Sequence, residues 1–137
     1  MIMWDNGPMQ PELLLDARAD LGEGPAWDAA TATLYWVDIH VGALHQFDPA
    51  TGIDRTFPFG QFFGCAVPRR TGGLILALQS GFATLDSLPP AGEGPGITAL
   101  FHPEPTLTGN RFNDGKCDPA GRLLAGTMDD AEVDASG

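Results

Sequence analysis

Three short segments combine residue types able to bind an ion or a polyhydroxylated ligand. Leu21-Gly22-Glu23-Gly24-Pro25 holds one carboxylate between two glycines and ahead of a proline. Such a backbone is tight and uncrowded, so the Glu23 oxygens have room to meet a hard cation. The tetrapeptide recurs as Gly92-Glu93-Gly94-Pro95, so the motif alone does not separate a ligand from a turn. The second segment is Arg111-Phe112-Asn113-Asp114-Gly115-Lys116. Arg111 offers a planar fork of donors, and Asn113 supplies both a donor and an acceptor. Asn-Asp-Gly is equally the composition of an ordinary turn, and the residues leave both readings open. The third segment, Asp129-Asp130-Ala131-Glu132, reads as a solvated acidic end to the last apolar run.

The elements that must position these residues are short strands. Apolar runs begin at Leu34, Leu74 and Leu123, which are 40 and 49 residues apart (34 to 74, then 74 to 123). Each run is preceded by a strand-like segment and a turn: Pro25–Asp28 before Ala29–Thr31, Cys65–Pro68 before Thr71–Gly73, and Lys116–Asp118 before Pro119–Gly121. The first two runs are followed by further strands, Ala43–Asp48 with Ile53–Phe57, and Phe82–Asp86 with Ile97–Phe101. The spacing matches the blade of a β-propeller, roughly 40–50 residues of four antiparallel strands. A single blade has two apolar faces and buries neither alone, so blades stack around an axis lined by their first strands, while the outer strands carry charged alternation. The organisation predicted is a leading segment over 1–20 with a strand at Glu12–Ala17, one blade over 21–59, a second over 60–102, the start of a third over 111–128, and a polar end over 129–137. An open β-sandwich is the competing architecture, and the repeat favours the propeller.

Composition supports an all-β chain. Of 137 residues, 43% are apolar and 18% charged, with 18 Gly and 12 Pro breaking the sequence too often for long helices. The formal charge of −11 repels a nucleic-acid duplex or an anionic membrane surface, which argues against either as a partner. Cys65 and Cys117 form no CxxC pair and are expected as buried thiols without a disulfide. The N-terminus carries neither the basic nor the apolar region of a signal peptide, and nothing later is long enough to span a bilayer. A cytoplasmic location is the expectation.

The runs LGEGPAW, LYWVDI and RFNDGKCDPAGRLLAGTM together resemble the N-terminal part of the regucalcin/gluconolactonase (senescence marker protein) family, from about Leu21 to Met128. The resemblance implies the first two and a half blades of a six-bladed β-propeller. It also implies hydrolysis of a sugar lactone with one divalent cation, Ca²⁺ or Zn²⁺, on the central axis. On that resemblance Glu23 matches a metal-ligating carboxylate, and Arg111 and Asn113 match substrate-contacting residues. The family's other metal ligands, an Asn and an Asp that is also the general base, come from later blades, so no catalytic base is expected up to Gly137. A further acidic substrate contact aligns with Ala131, where this chain departs from the family. Two other outcomes follow from bare blade faces: self-association of several copies into a ring without catalysis, or an inactive remnant.

Overall fold

The structure is a computed structural model and describes residues 11–90 and 93–131. Ten strands follow in chain order: β1 (Gly22–Asp28), β2 (Thr33–Asp38), β3 (Ala43–Asp48), β4 (Ile53–Pro58), β5 (Phe63–Pro68), β6 (Leu74–Leu78), β7 (Gly81–Leu85), β8 (Ile97–Phe101), β9 (Asn110–Cys117) and β10 (Leu123–Asp129). They form two four-stranded meanders, β1-β2-β3-β4 and β5-β6-β7-β8, and a two-stranded sheet of β9 and β10. All pairings are antiparallel between consecutive strands. No helix among the described residues is long and apolar enough to cross a membrane.

Turn chemistry explains why the chain doubles back where it does. Asp28 accepts the Ala30 amide at 3.0 Å and the Thr31 hydroxyl at 2.8 Å. Asp48 repeats this with Ala50 and Thr51, both at 2.9 Å, and Asp118 accepts the amides of Ala120 and Arg122. These Asp side chains close the turn locally and need no tertiary partner. The Ala50 amide foremost, with the Thr51 hydroxyl, holds the Asp48 carboxyl below its usual range. The Arg122 amide, followed by its guanidinium, does the same for Asp118.

The core lies between the two meanders. Tyr35, Val37, Leu44 and Phe57 of the first sheet meet Phe63, Leu76, Leu78 and Leu85 of the second, all buried. Alternation along β2 follows the pleat: Thr33, Tyr35 and Val37 are buried, whereas Leu34 and Trp36 are only half-buried on the opposite face. On that opposite face the Trp36 ring stacks on His45 at 3.7 Å, and both donate toward Asp54, at 3.2 Å and 2.6 Å. A smaller cluster of Cys65, Ala77 and Phe112 joins β9 to the second meander.

Three expectations need correction. Residues 12–17 form no strand. Their backbone finds no ladder partner among the described residues, and a strand exists only through its pairing; Leu13 and Leu14 remain 79% and 66% exposed. Cys117 is exposed rather than buried, because it sits at the end of β9 where the sheet gives way to the Asp118 turn; both thiols are free. The outer strand β8 carries no charge and is exposed along its length, in contrast to β4 with Asp54 and Arg55.

Candidate functional site: the axial end of the inner strands

The first strands of the three sheets, β1, β5 and β9, pack on one another, and glycine allows the approach. A Cβ on Gly24 would lie 3.3 Å from the carbonyl oxygen of Gly64, and Gly24 itself has φ +59, a conformation that disfavours a side chain. A Cβ on Gly64 would lie 2.7 Å from the Cβ of Phe112. One level further along, a Cβ on Gly115 would lie 2.7 Å from the Cys65 sulfur. The residue after Glu23 thus touches β5, which in turn touches the residue between Arg111 and Asn113.

Each inner strand is irregular at this level. On β1 the register jumps from Glu23↔Val37 to Ala26↔Tyr35, so that Gly24 and Pro25 together oppose Trp36. On β5 it jumps from Phe63↔Leu78 to Cys65↔Ala77, leaving Gly64 unpaired. On β9, Phe112↔Thr127 is followed by Asp114↔Gly126, leaving Asn113 unpaired. Three bulges therefore stand side by side at one end of the axis. Bulges add a residue to one strand and re-aim the side chains around it. Asn113 occupies the place that glycines take in the other two strands, so it alone brings an amide to that place. Sequence reasoning did not find this alignment; the signal available was the correspondence of Glu23-Gly24, Phe63-Gly64 and Phe112-Asn113 within the repeat.

The predicted site residues differ in their surroundings. Glu23 is exposed, and among the described residues its carboxylate has no hydrogen-bond or ion-pair partner. Asn113 is exposed in strand β9, so the turn reading of Asn-Asp-Gly is set aside. Arg111 is buried at 5% exposure and already engaged. Its Nε donates to Asp130 Oδ1 at 2.5 Å, its Nη1 donates to the Phe112 carbonyl at 3.3 Å, and its guanidinium lies 5.9 Å from the centre of the Phe62 ring. The expectation of a solvated acidic end is therefore corrected for Asp130, which turns inward because a buried guanidinium needs a counter-charge. Glu132 lies outside the described residues. Ala131, at the position of the expected acidic contact, is exposed. Beside Arg111, Glu104 accepts from Asn110 Nδ2 at 2.9 Å and Thr127 Oγ1 at 3.0 Å, tying the connection before β9 to both strands of the hairpin.

The look-alike Glu93 is exposed in the loop between β7 and β8, away from the inner strands. Asp38 holds the chain leading into Glu23: its two oxygens accept the amides of Asp20 at 2.9 Å and Leu21 at 3.1 Å, and the Leu21 carbonyl accepts from Ile39 at 3.0 Å. No three His, Cys, Asp or Glu side chains converge into a metal cluster among the described residues. Glu23 offers one carboxylate, whose hard oxygens fit a Ca²⁺-like cation in kind but fill at most two of its roughly six to eight coordination positions.

Two four-stranded blades joined through bulged inner strands, with a third blade begun, define part of a β-propeller with its polar groups at one axial end. The chain belongs to the SMP-30/gluconolactonase/LRE-like family, whose sequence profile matches residues 21–137. It is 41% identical over 110 residues to 6-deoxy-6-sulfogluconolactonase of Pseudomonas putida, a match covering 79% of this chain and 35% of that protein. It is 34% identical over 117 residues to regucalcin of Xenopus laevis, covering 85% and 38%. The fold superposes on the calcium-binding protein regucalcin of Agrobacterium tumefaciens with a TM-score of 0.76 at 29% identity, covering 86% of this chain and 38% of that one. The chain thus spans under two fifths of the length of these relatives.

Proposed function

We propose that this chain forms the N-terminal part of a metal-dependent sugar-lactone hydrolase, with Glu23 as a cation ligand and Arg111 and Asn113 as lactone contacts. The observation that carries this reading is the row of three bulges, which sets the Glu23 strand and the Asn113 strand at one level through Gly24, Gly64 and Phe112. Glu23 and Asn113 are both exposed, and neither is tied to a protein partner among the described residues, so both are available to a ligand. The relatives named as lactonases support the substrate class.

Within this reading Glu23 supplies a negative oxygen to the cation, and the Asn113 amide pairs with ring hydroxyls as donor and acceptor. Arg111 contributes the N–H groups that Asp130 and Phe112 leave free. A bound Ca²⁺ or Zn²⁺ would polarise the lactone carbonyl and acidify a water. Orientation of the lactone is the work assigned to this chain's own residues. No catalytic base is assigned to them, and a single carboxylate holds a cation weakly, so the remaining ligands and the base are expected from further blades of a six-bladed ring. The reading includes a cytoplasmic setting, to which two free thiols are suited.

The test joins residues 1–137 to the later blades of a related lactonase and follows acid release from an aldonolactone. Metal-dependent hydrolysis is expected, reduced at least 100-fold by Glu23→Gln, on the order of losing a charged ligand, and unaffected by Glu93→Gln. Equal effects of the two substitutions would overturn the assignment.

A second reading, self-association without catalysis, has its own support. Ile97, Leu100 and Phe101 of β8 are 36%, 55% and 67% exposed, and β10 is an edge strand with Leu124 63% exposed. Open apolar edges of this kind pair with other chains. A discrete trimer in sedimentation, with no lactone hydrolysis under Ca²⁺ or Zn²⁺, would favour it.

A further inference from the structure

The contacts of Arg111 carry an inference about charge selection that rests on the lactone reading. A guanidinium has five N–H donors and two edges able to grip a carboxylate with two parallel bonds, Nε with Nη2 along its side and Nη1 with Nη2 at its end. In this chain Nε is taken by Asp130 at 2.5 Å, and Nη1 is bonded to the Phe112 carbonyl at 3.3 Å. Each edge thus has one of its two nitrogens engaged, and Nη2, common to both, is unengaged among the described residues. The pair is sheltered, since the Arg111 side chain is 5% exposed and that of Asp130 is 33% exposed. Its net charge is zero, and any carboxylate approaching Arg111 also approaches Asp130.

Opening a lactone converts a neutral ring into an anion. An unpaired arginine at that place would hold the product carboxylate more tightly than the substrate and slow its release. We propose that Asp130 is a specificity-determining, positioning residue: it takes the Nε donor of Arg111 and cancels its charge, so that the site takes uncharged polyhydroxylated lactones and rejects the ring-opened sugar acid. Asp130 is itself fixed for this task. Its amide donates to the Gly109 carbonyl at 3.0 Å, and the preceding residue, Asp129, pairs with Asn110 in the β9–β10 ladder. The carboxylate is therefore anchored to the same hairpin that carries Arg111.

The test uses residues 1–137 joined to the later blades of a related lactonase as the parent, an aldonate salt as the charged probe, and the matching uncharged aldonolactam as a stable stand-in for the lactone. Binding is followed by NMR titration, with the Arg111 Nε–H signal and its exchange rate as a separate readout of the ion pair. The parent should show a slowly exchanging Nε–H and bind the lactam in preference to the aldonate. Asp130→Asn, which keeps an oxygen acceptor for Nε–H, should raise aldonate affinity about tenfold, the size of one charge-assisted contact, and leave lactam affinity within about twofold. Unchanged aldonate affinity, or equal gains for both probes, would overturn the charge-selection role alone. A parent that binds neither probe while Nε–H stays slow to exchange would overturn the lactone reading, and this inference with it.

Discussion

Gly64 of β5 lies so close to Phe112 of β9 that a Cβ on the glycine would sit 2.7 Å from the Phe112 Cβ and 2.7 Å from its carbonyl oxygen. Backbone rather than a flexible side-chain tip is what a methyl group would meet, so the strands would have to separate. Gly64→Ala should therefore destabilise the chain by about 1–3 kcal/mol, the range for overpacking a tight core, seen as a lower urea midpoint. Gly126→Ala, at a glycine with open space around it, should change stability by less than about 0.5 kcal/mol. Similar behaviour of the two would show that the inner strands are not held in contact at this level.

Asp38 is 5% exposed and accepts two amides from the segment that leads into Glu23. Asp38→Ala strands both donors and should cost about 2–3 kcal/mol. Asp38→Asn retains one acceptor oxygen and should cost roughly half as much on the same scale. Chemical denaturation of the two variants checks the order, and an alanine variant as stable as the parent would show that Asp38 does not anchor this entry.

Arg111 and Glu23 should respond unequally to removal of their charges. Glu23 is exposed without a partner, so Glu23→Gln should leave stability within about 0.5 kcal/mol of the parent. Arg111→Met removes the counter-charge of Asp130 and should cost about 2–3 kcal/mol. Thermal melts at neutral pH measure both, and a strongly destabilised Glu23→Gln would point to a structural role for that carboxylate.

The cysteines should separate by reactivity. Cys117 is exposed and should be alkylated by iodoacetamide in the folded chain, whereas buried Cys65 should react only after denaturation. Burial foremost, with the Asp114 carboxylate adding to it, pushes the Cys65 thiol up to about 12 from an ordinary value of 9.0. The folded state therefore keeps its proton where the unfolded state loses it. Stability from this group is complete below pH 9.0 and is lost as pH rises from 9.0 toward about 12. Cys65→Ala should flatten that alkaline decline, measured as urea midpoints against pH; an unchanged slope would assign it to other groups.

The sequence by itself determined the all-β propeller class, because blade spacing, apolar alternation and Asp-based turns are local properties. It also singled out Glu23, Arg111 and Asn113 from motif composition and resemblance. The three aligned bulges, the pairing of Arg111 with Asp130 and the unequal burial of Cys65 and Cys117 were decided only by the tertiary structure. The physical reason is the same in each case. A bulge is defined by the partner strand, an ion pair by what else is buried beside it, and a thiol's exposure by where its sheet ends. The leading segment shows the converse: Glu12–Ala17 has a strand's composition, but a strand is a relation between two backbones, and the described structure offers it no second one.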